Sequence, residues 1–537
     1  MMYDLLIQHA EVIDGTGAPR RRENVAVKNG TIFFAGTEAE ALKTIDGRGM
    51  VLCPGFIDVH SHGDLVAGHD YARLCKTSQG ITTEIAGQCG SSFFPVTEET
   101  KDMVAANALM LGDLEREHMG EFRNMREFAA FLGRQELSAN MMVFMGHSTL
   151  RMAVMGNSDR KASEAELRRM EELLTEAMEN GCAGISTGLF YPPSAYGDVD
   201  EVSRLCAVVK RYGGIHTTHM RNEGSGILES MDEVLEVSRR TGVSLNISHH
   251  KVCGKKNWGL SGQTLKKIEE ARSEGLSVTA DVYPYTASMT KLAACIPAEY
   301  FTKGTEWLMS ALKDKKIRKE IREKMEAYED GRYRQCGGFD RILIGGCPKR
   351  PEADGKRISE YARELGADPF EVFFDLVEEN GSQCSAIYFS MGDEDLFRIV
   401  SAPFTMIGTD GLTISMDGKT HPRSWGTFPR AIRLFVREQR LMSLETMIHK
   451  MTGLPADTYH LASKGRIADG MDADLVLFDE KNISDEADYV CSNRLSAGIK
   501  AVIAGGKIVC EENRICLLYT SDAADDRISV DLGGRRI

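Results

Sequence analysis

The chain has 537 residues, enough for one large domain and a smaller one, because single hydrophobic cores stop growing near ~250 to 300 residues. Its composition, 42% hydrophobic and 27% charged residues, is that of an ordinary soluble globular protein. The formal net charge of −14 argues against a general nucleic-acid binder, so we expect no nucleic-acid partner.

The first residues lack a basic segment followed by a long apolar stretch, and no later window approaches the ~20 apolar residues that a membrane span needs. We therefore expect a cytoplasmic protein with no membrane partner. The 13 cysteines show no repeated spacing and do not resemble the disulfide framework of a secreted protein. Most of them are predicted to be buried thiols.

The chain begins with β-type runs and then changes its pattern. Residues 4–53 alternate short β-type runs with turn signals such as Asn29-Gly30, which predicts a small sheet. From Phe56 onward, apolar runs alternate with amphipathic helical stretches, as in parallel strands joined by crossover helices. Eight such strands are predicted, at 56–59, 81–86, 141–145, 183–186, 215–218, 244–247, 277–282 and 406–409. Residues 466–479 and 499–509 return to turns and short strands.

These patterns predict an α/β chain with a (β/α) barrel over residues 56–465 and a small domain assembled from residues 1–55 and 466–514. Residues 287 to about 355 are too long for a usual connection and contain a charged helix at 307–329. An active-site lid and a plain surface insertion both remain open for this segment. Residues 515–537 fit neither a strand nor an amphipathic helix, and we interpret them as a non-native tail without function.

The strongest local motif is Pro54-Gly-Phe-Ile-Asp-Val-His60-Ser-His62, in which an apolar strand runs directly into a His-X-His pair. Residues i and i+2 of a strand share a face, so both imidazoles can reach one cation. Active sites of such barrels lie at the carboxyl ends of the strands. Two histidines on a strand are structural more often than not, and the other strand ends decide between the two interpretations.

Further candidate ligands stand at the ends of later strands. Cys89 ends the next strand with glycines close on either side, and thiolate is a good zinc ligand. His219 and His249 each end a strand, whereas His250 points to the opposite face if its strand persists. Asp410 ends the last apolar strand, although Asp-Gly is also a common turn signal.

Four histidines, one cysteine and one aspartate at strand ends of one barrel predict a zinc site with nitrogen and sulfur ligands. Zinc with an open position lowers the pKa of its water to roughly 7 and polarises a carbonyl. Asp410 is then expected to accept the proton of that water as general base and to pass it to the leaving nitrogen. The predicted reaction is amide hydrolysis.

With these motifs, and with Asp281-Val-Tyr283-Pro-Tyr and His421-Pro-Arg423-Ser-Trp, the sequence resembles the D-aminoacylase (N-acyl-D-amino-acid deacylase) family of the amidohydrolase superfamily from residue 3 to about 514. The resemblance implies a TIM-type (β/α)8 barrel with a small β-sandwich domain. It implies a tight Zn²⁺ site at Cys89, His219 and His249, and a second, weak site at His60, His62 and Asp410. The implied reaction converts an N-acyl-D-amino acid into a carboxylate and a free D-amino acid.

The resemblance also implies four substrate-binding residues, Tyr191, Lys251, Tyr283 and Arg423. Arg423 or Lys251 can pair with the carboxylate of an N-acyl amino acid. A tyrosine hydroxyl can stabilise the oxyanion that forms when water attacks the acyl carbon. Tyr191 and Tyr283 can equally be packing residues.

Two alternative functions are compatible with an amidohydrolase barrel. A cyclic amidase of the hydantoinase or dihydroorotase kind shares the barrel and the His-X-His strand, but such enzymes typically need a bridging lysine where this chain has Cys89. A non-catalytic amidohydrolase-like scaffold usually lacks metal ligands, whereas every candidate ligand is present here. The side chain and acyl group of the substrate, the number of metals and the oligomeric state are left open by the sequence.

Overall fold

The computed structural model describes residues 2–108, 120–301, 304–412 and 419–516. Its strands are β1 Met2–Val12, β2 Arg21–Lys28, β3 Thr31–Ala35, β4 Glu40–Asp46, β5 Val51–Pro54, β6 Phe56–Asp58, β7 Ile81–Ala86, β8 Asn140–Val143, β9 Met145–Gly146, β10 Gly184–Gly188, β11 Ile215–His219, β12 Ser244–Ile247, β13 Val278–Val282, β14 Ser288–Lys291, β15 Ile342–Gly346, β16 Ser385–Tyr388, β17 Thr405–Ile407, β18 Leu475–Phe478, β19 Ile499–Ala504, β20 Lys507–Glu511 and β21 Arg514–Ile515.

Its α-helices are α1 Asp70–Thr77, α2 Lys101–Ala108, α3 Met125–Leu132, α4 His147–Met155, α5 Glu164–Glu179, α6 Val199–Arg211, α7 Ile227–Thr241, α8 Ser261–Ser273, α9 Thr305–Ala311, α10 Lys315–Ala327, α11 Arg332–Cys336, α12 Ile358–Leu365, α13 Pro369–Asn380, α14 Asp393–Ser401, α15 Arg423–Ala431, α16 Leu444–Met451 and α17 Gly453–Thr458. A π-helical segment, Ile432–Glu438, continues α15. In the described part of the chain, no helix combines the length and the apolar character that crossing a membrane requires.

The parallel strands form a barrel. β6, β7 and β8 pair in that order, and β9 to β13 continue to β17. Only Phe144 separates β8 from β9, so the two act as one barrel strand. The barrel closes between its first and last strands, where the backbone N–H of Asp410 donates to the carbonyl of His60 at 2.8 Å and that of His62 donates to Gly411 at 3.2 Å. The barrel predicted from the sequence is confirmed.

The last barrel strand is shorter than predicted. It ends at Ile407, two residues before the predicted end at Thr409. The reason is that Thr409 leaves the backbone ladder: its N–H and hydroxyl donate to the carboxylate of Asp58 at 2.8 and 2.7 Å. The side chain of Asp58 thus takes the place of a strand neighbour at the closing seam of the barrel.

Strands from both ends of the chain meet in one nine-stranded sheet with the order β21-β20-β19-β18-β5-β1-β2-β3, in which β4 also pairs with β1. The link between the two ends is the antiparallel pair of β5 and β18, in which Cys53 lies opposite Val476. Alternate side chains of these strands form a separate apolar cluster that includes Leu5, Val25 and Leu475. Of the predicted tail, Ile515 ends strand β21, and residues 517–537 lie outside the described residues.

The segment between the seventh and eighth barrel strands has its own sheet and its own core. β14, β16 and β15 form a three-stranded antiparallel sheet that, with α9 to α13, surrounds a separate apolar cluster. Because this sheet includes Ser385–Tyr388, the inserted structure continues beyond residue 355. The helix predicted at 307–329 is two helices, since Asp314 caps the start of α10 by accepting from the N–H of Lys316. Cys347 and Cys384 form a disulfide in this segment, and the other eleven cysteines form no disulfide.

Candidate metal centre

The predicted ligands lie together because they end neighbouring strands of one barrel. His60 and His62 follow β6, Cys89 follows β7, His219 ends β11, His249 follows β12 and Asp410 follows β17. One group of buried ligand atoms, from His60, Cys89, His249 and Asp410, lies within 4.8 Å of one another and could hold a metal ion.

The backbone at three of these positions is unusual. Cys89, His249 and Asp410 have φ values of 54°, 35° and 47°, a region that non-glycine residues seldom occupy. Hydrogen bonds from neighbouring strands hold two of them: the N–H of His249 donates to Asp281 at 2.8 Å, and that of Asp410 donates to the carbonyl of His60. Strained backbone of this kind clusters at sites where side-chain direction matters.

The Cys89 sulfur is the centre of the cluster. Its Sγ lies 3.3 Å from Nε2 of His249, 3.4 Å from Nε2 of His60 and 3.7 Å from Nδ1 of His219. Burial alone disfavours a thiolate, but the imidazoles of His60 and His249 hold the pKa of the Cys89 thiol well below its ordinary value. The side chain is therefore prepared to act as an anionic ligand.

These distances fit zinc. A tetrahedral zinc ion with bonds of ~2.3 Å to sulfur and ~2.0 Å to nitrogen keeps those ligand atoms roughly 3.5 Å apart. The separations of 3.3 and 3.7 Å from Cys89 to His249 and His219 bracket that value. One thiolate and two imidazoles are also a donor set that zinc prefers, and three protein ligands leave a position open.

The second predicted position lies beside the first. Oδ1 of Asp410 is 3.2 Å from Nε2 of His62 and 3.6 Å from Nε2 of His60. Nδ1 of His60 points the other way, to Oδ1 of Asp281 at 3.4 Å. His60 is completely buried, whereas the His62 side chain is 20% exposed.

Arg423 reaches this cluster from the start of α15. Its Nη1 lies 2.9 Å from Oδ2 of Asp410, and its guanidinium stacks over the Tyr283 ring at 4.7 Å. Although burial raises the pKa of Asp410, the guanidinium and the histidines outweigh it and hold that pKa well below its ordinary value. Nε of Arg423 and the hydroxyl of Tyr283 are buried without a hydrogen-bond partner among the described residues. Both donors are therefore available to an anionic ligand.

Two other predicted substrate residues, Tyr191 and Lys251, contact the histidines. The Tyr191 ring packs edge-on against His219 with 5.0 Å between centroids, and burial raises the pKa of its hydroxyl to about 12. Lys251 donates to Glu223 at 2.5 Å and to the carbonyl of His249 at 3.0 Å, and its Nζ lies 2.8 Å from Nδ1 of His249. Lys251 therefore contacts the metal cluster, and its contact with substrate stays a prediction.

His250 was predicted to be a structural residue. Its Nε2 lies 2.9 Å from the hydroxyl of Thr264. Two buried carboxylates next to the ligands, Asp281 and Glu223, were given no role from the sequence. Asp281 stands in the motif Asp281-Val-Tyr283, and Glu223 follows His219 by four residues, so an acid close to a predicted site residue was the signal in the sequence. Their contacts depend on which strands become neighbours, and single motifs do not carry that information.

Comparison with known proteins agrees with this geometry. Residues 43–510 match the model of the amidohydrolase family. The chain is 37% identical to an N-acyl-D-aspartate deacylase of Alcaligenes xylosoxydans xylosoxydans, covering 95% of this chain and 93% of that protein. It is 34% identical to a D-aminoacylase of the same organism, covering 95% of each.

A solved structure gives the same result. An N-acyl-D-glutamate deacylase of Bordetella bronchiseptica, complexed with zinc and a phosphonate inhibitor that mimics the tetrahedral intermediate, is 34% identical and superimposes with a TM-score of 0.80. The match covers 95% of this chain and 97% of that one. The chain belongs to the amidohydrolase family. Within it, the predicted resemblance to the D-aminoacylases is confirmed.

Proposed function

We propose that the chain is a zinc-dependent hydrolase of N-acyl-D-amino acids that releases a carboxylate and a free D-amino acid. The observation that carries the proposal is the convergence of Cys89 Sγ with Nδ1 of His219 and Nε2 of His249, beside the Asp410 carboxylate. The likeness to deacylases named for N-acyl-D-aspartate and N-acyl-D-glutamate supports the substrate class.

Cys89, His219 and His249 are proposed to hold the tight zinc ion, and His60, His62 and Asp410 a second, weaker position. Zinc at such a site, when bound, polarises the amide carbonyl and lowers the pKa of water to roughly 7. The residues around it supply the rest of the chemistry. The lowered pKa of Asp410 keeps its carboxylate ionised beside His62, at 3.2 Å. An ionised carboxylate at this position is proposed to be the proton acceptor.

In the proposed reaction, water adds to the amide carbon while Asp410 takes its proton. Asp410 then gives that proton to the amide nitrogen, and the carbon–nitrogen bond breaks. The immediate products are the carboxylic acid of the acyl group and the amine of the amino acid. The acid then loses its remaining proton to the amine or to solvent, which gives the carboxylate, and Asp410 is again ionised because it has given its proton to the nitrogen. The hydroxyl of Tyr191 or of Tyr283 is proposed to donate to the oxyanion that forms on the carbonyl oxygen.

Arg423 is proposed to bind the carboxylate of the substrate, because its Nε is a buried donor without a partner among the described residues. A guanidinium offers several N–H groups, so Arg423 can hold Asp410 and a substrate carboxylate at the same time. Lys251 is proposed to add positive charge on the far side of His249, where it also neutralises Glu223.

We also propose the division of the chain predicted from its sequence: a small β-sandwich domain from residues 1–55 and 466–514, and a barrel domain over 56–465 with a lid-like insertion at about 287–355. The nine-stranded sheet joining both chain ends supports the small domain. The lid is supported by Arg332, a residue of the insertion. Its guanidinium lies over the Phe190 ring, 4.8 Å from the ring centroid, and Phe190 contacts Tyr191.

The test is release of free amino acid from paired N-acetyl-D- and N-acetyl-L-methionine, leucine and glutamate, using protein of measured zinc content. We expect release from the D forms alone, and loss of release in Cys89→Ala. Cys206→Ala is the matched control, because Cys206 is a buried free thiol outside the cluster. No release from any linear substrate by zinc-loaded protein would refute the proposal and lead to assays with hydantoins and dihydroorotate.

A further inference from the structure

Glu223 lies behind both histidines that flank Cys89. Its Oε1 is 3.3 Å from Nδ1 of His249, and its Oε2 is 3.7 Å from Nε2 of His219. The opposite nitrogens of the same two rings, Nε2 of His249 and Nδ1 of His219, face the Cys89 sulfur. One carboxylate therefore spans the outer nitrogens of two rings whose inner nitrogens point into the metal cluster.

The surroundings of Glu223 keep its charge in the interior. Its side chain is 3% exposed; Oε1 accepts from Lys251 at 2.5 Å, and Oε2 lies 3.9 Å from Nη2 of Arg332. Oε2 and the facing Nε2 of His219 are both buried without a hydrogen-bond partner among the described residues. Two unsatisfied polar atoms that face each other at 3.7 Å need only a small movement to pair.

A metal-binding histidine must have a lone pair on its inner nitrogen, so the outer nitrogen has to carry the hydrogen. A carboxylate beside that outer nitrogen favours the required tautomer and fixes the ring plane. Lys251 lies close to the same nitrogen, with its Nζ 2.8 Å from Nδ1 of His249. Two of its three N–H groups have acceptors in Glu223 and the carbonyl of His249, so a hydrogen on Nδ1 requires only that the third N–H turn away from the ring.

We propose that Glu223 is a positioning residue of the metal centre, whose two carboxylate oxygens accept Nδ1–H of His249 and Nε2–H of His219 and so hold the opposite nitrogens towards one ion. The proposal rests on the metal site of the proposed function and is independent of its substrate. A different role, in which Glu223 only neutralises Lys251 and Arg332, predicts a loss of stability with no specific loss of zinc affinity.

The chain provides a matched control carboxylate. Glu201 is also buried, accepts from a histidine, His147, at 2.8 Å and from Arg151 at 2.6 Å, and ends a network that does not include His219 or His249. Glu201→Gln therefore removes the charge of a buried glutamate between a histidine and an arginine without changing the proposed outer partners of the ligands.

The experiment is a zinc competition titration against a chromogenic chelator on the whole chain, comparing unaltered protein, Glu223→Gln and Glu201→Gln, with thermal unfolding of each zinc-free protein. A glutamine has one acceptor oxygen and cannot serve both rings, so we expect Glu223→Gln to bind zinc about 10- to 100-fold more weakly. We expect less than about a two-fold change in Glu201→Gln. Equal affinities in all three proteins, or equal losses in both variants, would overturn the proposal.

A second measurement needs no variant. In zinc-loaded protein labelled with ¹⁵N-histidine, we expect one metal-linked ring with its hydrogen on Nδ1 and one with its hydrogen on Nε2, both protected from exchange. Rapidly exchanging hydrogens on both rings would count against Glu223 as their partner. If the unaltered protein fails to take up zinc, the proposed metal site fails; if it takes up zinc and Glu223→Gln matches it, only the positioning role fails.

Discussion

Arg423 and Asp410 form a close ion pair at the edge of the metal cluster, with Nη1 of the arginine 2.9 Å from Oδ2 of the aspartate. The other oxygen, Oδ1, remains directed to His62 and His60. The two oxygens of one carboxylate therefore face different partners, one towards a cation and one towards the cluster. That division leaves a single oxygen for the proposed proton transfer.

The first prediction concerns this aspartate. Asp410→Asn keeps the shape of the side chain but removes the proton acceptor, and we expect kcat to fall by about 10²- to 10⁴-fold. Zinc at Cys89, His219 and His249 should remain, because Asp410 is proposed to belong to the second, weaker position. The measurement is initial rate on N-acetyl-D-amino acids together with metal content. Asp232→Asn, in an exposed pair with Lys267, is the control and should leave the rate unchanged.

A second prediction concerns the close approach of two strand ends. A Cβ on Gly188 would lie 2.1 Å from the carbonyl oxygen of Cys89 and 2.8 Å from its carbonyl carbon, so Gly188→Ala must push the backbone of Cys89 aside. We expect weaker zinc binding together with lower thermal stability.

Gly36→Ala is the matched control, because an added Cβ there meets nothing within 4 Å. Zinc titration and thermal unfolding of the two variants make the comparison. Unchanged zinc affinity in Gly188→Ala would mean that the Cys89 loop moves freely and that its backbone position does not set the site.

The barrel could be predicted from the sequence because each of its strands is marked by a local pattern of residues. Strands Ile81–Ala86 and Ser244–Ile247 have the predicted bounds, since each is an apolar run between turn signals. The approach of Cys89 to His249 followed from parallel topology, which brings all carboxyl ends to one face. The extent of the insertion could not be read, because Ser385–Tyr388 pairs between two strands that lie far from it in sequence.

The contacts of Asp58 could not be predicted for a similar reason. Asp58 stands in the His-X-His motif, but its partners Thr409 and Lys76 come from the turn after the last barrel strand and from helix α1. Nothing in the motif itself indicates which cation will reach it. Contacts of this kind depend on the closure of the barrel, a property of the whole fold.

The third prediction tests that closing network. Lys76 is 2% exposed, and its Nζ lies 2.9 Å from both Asp58 and Glu84. Burial alone would lower the pKa of Lys76, but the two carboxylates raise it, so the lysine stays charged. Lys76→Met leaves two carboxylates buried without their cation, and we expect a loss of about 3 to 5 kcal/mol in the free energy of unfolding.

Lys267→Met is the control, since Lys267 pairs with Asp232 at the surface and such pairs contribute about 1 kcal/mol or less. Denaturant unfolding of both variants measures the difference. A loss in Lys76→Met no larger than that of the surface variant would show that the buried carboxylates are neutralised in another way.

The last prediction concerns acid stability and His216, a buried residue of strand β11. It is completely buried, its Nε2 lies 2.9 Å from the Thr187 hydroxyl, and burial lowers its pKa to about 3. In the unfolded chain a histidine takes up a proton near pH ~6.5, whereas the folded protein keeps His216 neutral. The unfolded state therefore binds more protons between those two values, and stability must fall as the pH is lowered through this window.

Replacing His216 with Gln removes that contribution. The variant is expected to be less stable than the unaltered protein at pH 7.5, because the Thr187 contact is altered, but the deficit should shrink by about 1.4 kcal/mol for each pH unit below ~6.5. Urea unfolding at pH 7.5, 6 and 5 measures it. His250→Gln, whose histidine has a pKa lowered by burial to about 4, should behave alike above pH 5. A deficit that stays constant with pH would mean that His216 is protonated in the folded barrel, and the interior around it would then have to hold a counter-charge.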